Sequence, residues 1–266
     1  MLAKLFITLC RIPHLQKKLW HGWYQYLARH YRAADWTFMN YGFNDPASRL
    51  KLDPMDEPDR ACIQLYNHVA AAVSLQGLNV LEVGSGRGGG ASFIIRYLKP
   101  ATLTGVDLSE EAIRFCRRTH RVPGLNFQTG DAEALPFERD LFDVVINIES
   151  SHCYPHLAAF FNEAARVLKP GGHFLYADFR SRDSVDSWRQ TLTASGLTIR
   201  AETDITSAVI RGLDSDNDRK RAIIERAVPK ILHNSIRDFA ALRGSKMYNA
   251  FLSGSLVYLS FVLQKS

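Results

Sequence analysis

The sequence predicts an α/β protein built on a doubly wound, seven-stranded, mostly parallel sheet, with an N-terminal helical lid and a helical insertion before the last strand. Three observations point there. From Asn79 onward, short apolar runs alternate with stretches of helical spacing, each closed by Pro or Gly. A glycine-dense turn, Gly84 to Gly90, separates the first run from the helix that follows it. An acid, Asp107, then ends the second run, about 20 residues downstream, where such folds place a ribose-binding carboxylate.

Strands are expected at Val80–Val83, Thr102–Val106, Leu125–Gln128, Phe142–Ile148, His173–Asp178, Leu197–Glu202 and Ser255–Leu263. Helices are expected at Asp56–Leu75, Gly90–Leu98, Glu110–Arg118, Pro155–Leu168 and Ser184–Ser195, with Lys169-Pro170-Gly171-Gly172 turning into the fifth strand. Residues 1–55 lie ahead of the sheet and read as a lid; residues 56–266 form the main domain, with 206–250 as a helical cap inserted into it. Within that cap, Asp214–Arg221 (DSDNDRKR) reads as an exposed, solvated turn into a helix ending near Pro229. Met247–Gln264 has 18 residues without a charge and must be weighed as a membrane span. Its Asn249, Ser253, Gly254 and Ser255, and its β-forming end, favour a buried strand.

A chain of 266 residues, 46% hydrophobic and 23% charged, excludes disordered, collagenous and coiled-coil classes. The net charge of +6 comes from Lys4, Arg11, Lys17, Lys18, Arg29 and Arg32, which precede the first acid, Asp35; beyond them 27 basic residues face 27 acidic ones. A nucleic-acid partner needs a basic face that persists across a domain, so none is expected. Leu5, Phe6, Leu9, Ile12, Leu15, Leu19 and Trp23 recur at helical spacing among the early cations, as in an amphipathic lid that touches an anionic membrane; a helix packed on its own domain gives the same stripe. Cys10, Cys62, Cys116 and Cys153 form no CxxC pair, so neither zinc nor a disulfide framework is indicated, and a reducing cytoplasmic setting, peripheral to the inner face of the membrane, is expected. The apolar run Leu5–Cys10 is too short for a signal peptide. Apart from His152 and His156, no histidines stand at HxH or HxxxH spacing, and no metal is expected.

The segment Asn79–Gly90 (NVLEVGSGRGGG) lets the backbone approach a ligand closely and offers a helix N-terminus to it. Gly84, Gly86 and Gly89 also satisfy the dinucleotide pattern GxGxxG, so this loop alone leaves two cofactor classes open. Further motifs follow in register: Glu82 in the first strand, Gly84-Ser85-Gly86-Arg87-Gly88, Asp107, Gly130-Asp131-Ala132-Glu133-Ala134-Leu135-Pro136-Phe137, and Lys169-Pro170-Gly171-Gly172. In these the chain resembles the class I S-adenosylmethionine-dependent methyltransferases, a Rossmann-like fold family. The resemblance implies S-adenosyl-L-methionine as cofactor, with Gly84, Ser85, Gly86 and Gly88 beneath its methionine part and Glu82 supporting the turn. It further implies Asp107 on the ribose hydroxyls, Leu108, Asp131 and Ala132 around the adenine, and Asn147 and Tyr41 completing the cofactor set.

An acceptor must sit at the carboxyl edge of the sheet, where Ile148–His156 follows the fourth strand. Methyl transfer to a hydroxyl needs alignment and a base. His152 is the expected base, titrating near neutrality, with Asp178 at the end of the fifth strand orienting it. The runs Asn147–His156, Arg87–Ser92 and Asp56–Ala61 resemble the phthiotriol/phenolphthiotriol dimycocerosate O-methyltransferases, which methylate a hydroxyl of a long polyketide-derived lipid. That likeness implies an aromatic lid at Trp36–Phe43 and an apolar, lipid-like or polyketide acceptor, with Trp36, Phe38, Glu149, Tyr154 and Phe179 as substrate-binding residues. O-methylation is the expected reaction; C- or N-methylation on the same fold, and a cofactor-binding cyclase or scaffold, are the competing readings.

Overall fold

The computed structural model describes residues 36–230 and 233–266. The amphipathic stripe and the early cations lie outside the described residues. The sheet has seven strands: β1 (Asn79–Val83), β2 (Thr102–Asp107), β3 (Leu125–Thr129), β4 (Phe142–Ile148), β5 (Leu168–Ser181), β6 (Leu197–Asp204) and β7 (Leu256–Lys265). Their spatial order is β3-β2-β1-β4-β5-β7-β6, with β7 antiparallel to both its neighbours. Chain order reverses between β1 and β4, which opens a crevice above their carboxyl ends. Val80, Leu81, Val144, Val145 and Ile146 are fully buried because helices cover both faces, which is why these strands read as apolar runs rather than alternations.

The helices are α1 (Arg60–Ala70), α2 (Gly89–Phe93, continued by a π turn at Ile94–Leu98), α3 (Glu110–Thr119), α4 (Leu157–Val167), α5 (Val185–Ala194), α6 (Thr206–Ala227), α7 (His233–Phe239) and α8 (Lys246–Leu252). Local chemistry sets their ends. Ser109 caps α3 by accepting from the Ala112 N–H, and Glu110, Glu111, Arg117 and Arg118 complement its dipole. The helix expected from Asp56 starts later, because a single 3-10 turn with Pro58 occupies Glu57–Asp59.

Three expectations are corrected. Lys169–Gly172 is no separate turn: β5 begins at Leu168, paired with Phe142, and absorbs the glycines in an irregular register while Lys169 binds Asp143 at 2.7 Å. Met247–Leu252 is helical, not strand, since the Ser245 hydroxyl caps α8; the strand starts only after Gly254, at φ +72°. Asp214–Arg221 is neither a turn nor plain exposed surface. It continues α6, with Asp216 and Asn217 buried: Arg219 bridges Asp216 and Asp59, and Asn217 Oδ1 accepts the Arg243 N–H.

That burial matters for the site, because α6 clamps the segment 36–44 over the crevice. Lys220 donates to the carbonyls of Asn40 and Tyr41 at 3.3 and 3.0 Å, and Arg211 donates to Asn44 O at 3.0 Å. Gly212 permits the contact: a Cβ there would stand 2.5 Å from the Phe43 nitrogen.

Candidate active site

A cavity opens at the carboxyl edge, roofed by residues 36–41 and floored by the turns after β1, β2 and β4. Its first half is organised by backbone donors. The N–H groups of Gly84 and Ser85 both reach Val106 O at 2.8 and 2.9 Å, folding the glycine turn against β2. Asp107 is fixed by the Gly86 N–H on one oxygen and the Ser109 N–H on the other, each at 2.8 Å. A carboxylate has about four lone-pair sites, so two such bonds orient Asp107 and leave capacity to accept further donors. Gly90 makes room for Tyr66, whose ring a Cβ would approach to 1.9 Å, and Tyr66 donates to Glu82 at 2.8 Å. Burial pushes the Glu82 carboxyl up to about 8; the Tyr66 hydrogen bond opposes this and Asp107 adds to it.

Directly behind the turn, Glu82 Oε2, Ser85 Oγ and Asn147 Oδ1 are buried and find no hydrogen-bond partner among the described residues. Unsatisfied buried groups of this kind cost free energy unless a ligand supplies partners. Acceptors near the glycine turn, with a pre-oriented carboxylate across the cavity, fit a ligand carrying an ammonium at one end and ribose hydroxyls further along. S-adenosylmethionine is such a molecule.

The other half centres on a 3-10 turn, Ser151–Cys153, that follows β4. His152 Nδ1 lies 2.9 Å from Asp178 Oδ1 and its ring is tilted over Phe179, with centroids 4.4 Å apart. Asp178 is 0% exposed and its carboxylate accepts from the Ser151 hydroxyl at 2.6 Å and from the N–H groups of His152 and Phe179 at 2.9 and 2.8 Å. Burial pushes Asp178 up, but His152 and Arg180 beside it hold it well below the usual carboxylate range. Burial pushes His152 down, yet Cys153 and Asp178 against it carry it well above the usual imidazole value. This corrects the expected titration near neutrality. Glu149, at φ +51°, accepts from the Tyr41 N–H at 2.9 Å and the Tyr258 hydroxyl at 3.0 Å, and burial raises it to about 7.

Most of the residues singled out from the sequence converge on this cavity. Trp36, Phe38, Tyr41, Gly84, Ser85, Gly86, Asp107, Leu108, Asp131, Ala132, Glu149, His152 and Tyr154 line it. Glu82, Asn147, Asp178 and Phe179 stand behind the wall: Asn147 ties Val83 O to Ser150, and Phe179 stacks on Tyr41 at 5.4 Å. Gly88 is not among the lining residues; a Cβ there would meet His120, Phe127 and Cys116 within 3.0 Å, so its lack of a side chain serves packing against them. Sequence reasoning missed Tyr66, Ser150, Arg180 and Tyr258. Only Arg180 had a legible signal: it lies two residues past Asp178 in a strand, hence on the same face. Among the described residues no group of three His, Cys, Asp or Glu side chains converges as a metal site, and no described helix is long and apolar enough to cross a membrane.

The fold recurs in solved structures of low identity. The cyclopropane synthase MmaA2 from Mycobacterium tuberculosis has a TM-score of 0.71 at 15% identity, covering 91% of this chain and 98% of its own. The cyclase SpnF gives 0.71 at 19% identity, covering 94% and 96%. Residues 81–176, from β1 into β5, match a family described as "Methyltransferase domain", so the class is that of the methyltransferases. The full length is more specific. A phthiotriol/phenolphthiotriol dimycocerosates methyltransferase of Mycobacterium tuberculosis is 40% identical over 250 residues, 94% of this chain and 93% of the relative. A fatty-acid O-methyltransferase of Mycolicibacterium smegmatis is 42% identical over 221 residues, 83% and 81% of the two chains. The chain belongs to the S-adenosylmethionine-dependent methyltransferases and is similar over most of its length to these two relatives.

Proposed function

We propose that the protein transfers the methyl group of S-adenosylmethionine to a hydroxyl of a long-chain, lipid-like acceptor, with His152 as general base and Asp178 as the group that orients it. The observation that carries this reading is a histidine on the cavity wall, 19% exposed, whose Nδ1 is engaged by a fully buried carboxylate. When bound, S-adenosylmethionine supplies an electrophilic methyl carbon on a sulfonium. The chain's own part is to align the acceptor oxygen and receive its proton at Nε2. Asp178 accepts from Nδ1–H, which fixes the tautomer that leaves Nε2 basic and stabilises the cation once formed. The relatives named for dimycocerosate and fatty-acid methylation support an apolar acceptor, as do the aromatic side chains of Trp36 and Phe38 in the roof.

The test is incubation with labelled S-adenosylmethionine and long-chain secondary alcohols, free fatty acids and amines, read by product mass and fragmentation. An O-methyl ether from the alcohols is expected. A methyl ester alone would make the base unnecessary, since a carboxylate acceptor has no proton to lose, and N-methyl or C-methyl products would replace the reading with one of the other classes.

The cofactor assignments carry their own prediction. Asp107→Ala removes an acceptor for ribose hydroxyls and the anchor of the Gly86 N–H; charge-assisted hydrogen bonds are worth about 1 to 3 kcal/mol each, so affinity for S-adenosylmethionine falls at least about tenfold. Calorimetry on the folded variant checks this, and unchanged affinity would remove Asp107 from the set.

We further infer that residues 1–35 extend the lid of residues 36–55 and rest on an anionic membrane at its inner, cytoplasmic face, and that no nucleic acid is bound. The support is the cluster of early cations amid apolar residues at helical spacing. Deleting residues 1–35 should leave a folded protein that binds S-adenosylmethionine yet no longer sediments with phosphatidylglycerol vesicles at low salt. Intact protein that ignores such vesicles would end the membrane part of the proposal.

A further inference from the structure

Arg180 is the cation nearest the His152–Asp178 pair, and nothing in the reaction so far uses it. Its guanidinium lies 3.3 Å from Asp178 Oδ2, donates to Ser151 Oγ at 2.9 Å, and stacks over Trp188 with its centre 4.8 Å from the ring. The side chain is only 15% exposed. Around it runs a directed chain. Trp188 Nε1 donates to the Tyr176 hydroxyl at 3.1 Å; that hydroxyl meets Ser151 Oγ at 2.6 Å, and Ser151 donates to Asp178. Because Ser151 spends its proton on Asp178, Tyr176 must be the donor in their shared bond. Asp178 thus has His152 on one oxygen and Ser151 with Arg180 on the other, so imidazole and guanidinium share one carboxylate from opposite sides.

We propose that Arg180 is a positioning residue that divides the charge of Asp178 with His152, so that the imidazole is oriented by the carboxylate without being locked in its protonated form. This rests on the reading of His152 as base. A buried carboxylate facing His152 alone would give the imidazolium its full attraction, and the base would be spent before the acceptor arrives. With a permanent cation on the far oxygen, part of that field is cancelled while the hydrogen bond to Nδ1, which sets the tautomer, is kept. The other titratable groups around the imidazole are Cys153 in its own turn, Glu149 at the end of β4, Tyr41 in the roof and Tyr258 on β7. None of these is a cation.

The test reads protonation and turnover separately. Arg180→Gln removes the charge and Arg180→Lys keeps it, and the His152 ring is titrated by NMR in each full-length variant, with kcat and KM followed across pH. In Arg180→Gln the His152 titration should move up by about one pH unit, because the carboxylate that His152 faces loses the unit charge on its other oxygen in a poorly solvated site. The limb of kcat/KM should follow it while KM above the limb stays unchanged. Arg180→Lys should titrate as the wild type does. An unshifted ring in Arg180→Gln overturns the inference, as does a ring that moves up as far in Arg180→Lys, and the lysine variant decides alone if the glutamine variant does not fold. If wild-type activity fails to track the ring titration, it is the assignment of His152 as base that falls, while the charge-sharing inference is still judged by the ring.

Discussion

Replacing His152 with Ala lowers kcat by about 10² to 10⁴, the usual contribution of a positioned general base, while the dissociation constant for S-adenosylmethionine changes by no more than about twofold. The split follows from position: His152 meets the wall of the cavity after β4, whereas Asp107 ends β2 and Gly84 and Gly86 belong to the turn after β1. The pH profile gives the sign. Only neutral imidazole accepts a proton, and His152 is carried well above the usual value because Cys153 and Asp178 outweigh its burial. Activity of the wild type should therefore rise with pH through a limb lying above the range of a free imidazole, near pH ~6.5, and fall on the acid side. Steady-state kcat/KM between about pH 5 and 9 measures it. If His152→Ala keeps near-normal turnover and the same limb, the base is elsewhere, and Glu149, raised to about 7 by burial, is the next group to replace.

The sheet was legible because parallel strands buried on both faces write long apolar runs, and because glycine turns and strand-end acids punctuate them. Phe142–Ile148 was read with both its ends correct. Errors gathered where tertiary contacts override local pattern. The run DSDNDRKR looks like surface since charges are usually solvated, but Asp59, 160 residues away from Arg219, turns it into a buried ion-pair helix. Gly88 belongs to the glycine motif by spacing, and φ +78° with the approach of His120 and Cys116 gives it a packing role that spacing does not reveal. Residues that complete the site from afar leave no trace in spacing: Tyr258 reaches Glu149 only because β7 pairs antiparallel with β5, placing it opposite Phe179. The pair His152–Asp178 was readable because topology alone sends the ends of β4 and β5 to one edge.

That pair also couples chemistry to the stability of the carboxyl edge. Asp178 and His152 hold the turn after β4 against β5, with the Ser151 hydroxyl and the His152 N–H both anchored on one oxygen. The same carboxylate balances Arg180, which also donates to the Ser151 hydroxyl. The segment clamped by Lys220 and Arg211 lies above this edge.

Asp178→Asn should therefore cost both activity and about 3 to 5 kcal/mol of stability, the range expected when one partner of a buried ion pair is removed and the other charges are left behind. An amide has one acceptor oxygen where the carboxylate offered two, so the donors Ser151, His152 N–H, Phe179 N–H and Arg180 cannot all be served. Melting should fall by roughly 6 to 20 °C for a chain of this size. The sign of its pH dependence separates charge from shape. Asp178 has its folded-state pKa held below the unfolded value near ~3.9, so its contribution is complete above that pH and is lost as pH falls through the folded value. His152 has its folded-state pKa raised, so its contribution is complete below ~6.5 and is lost as pH rises through the folded value. The difference in Tm between wild type and Asp178→Asn should then be widest between about pH 4 and 6.5 and should narrow on either side, as calorimetry across pH 3 to about 9 reads directly. A difference that is the same at every pH would mean that Asp178 stabilises the edge by its shape and hydrogen bonds alone, with no ion pair between it and His152.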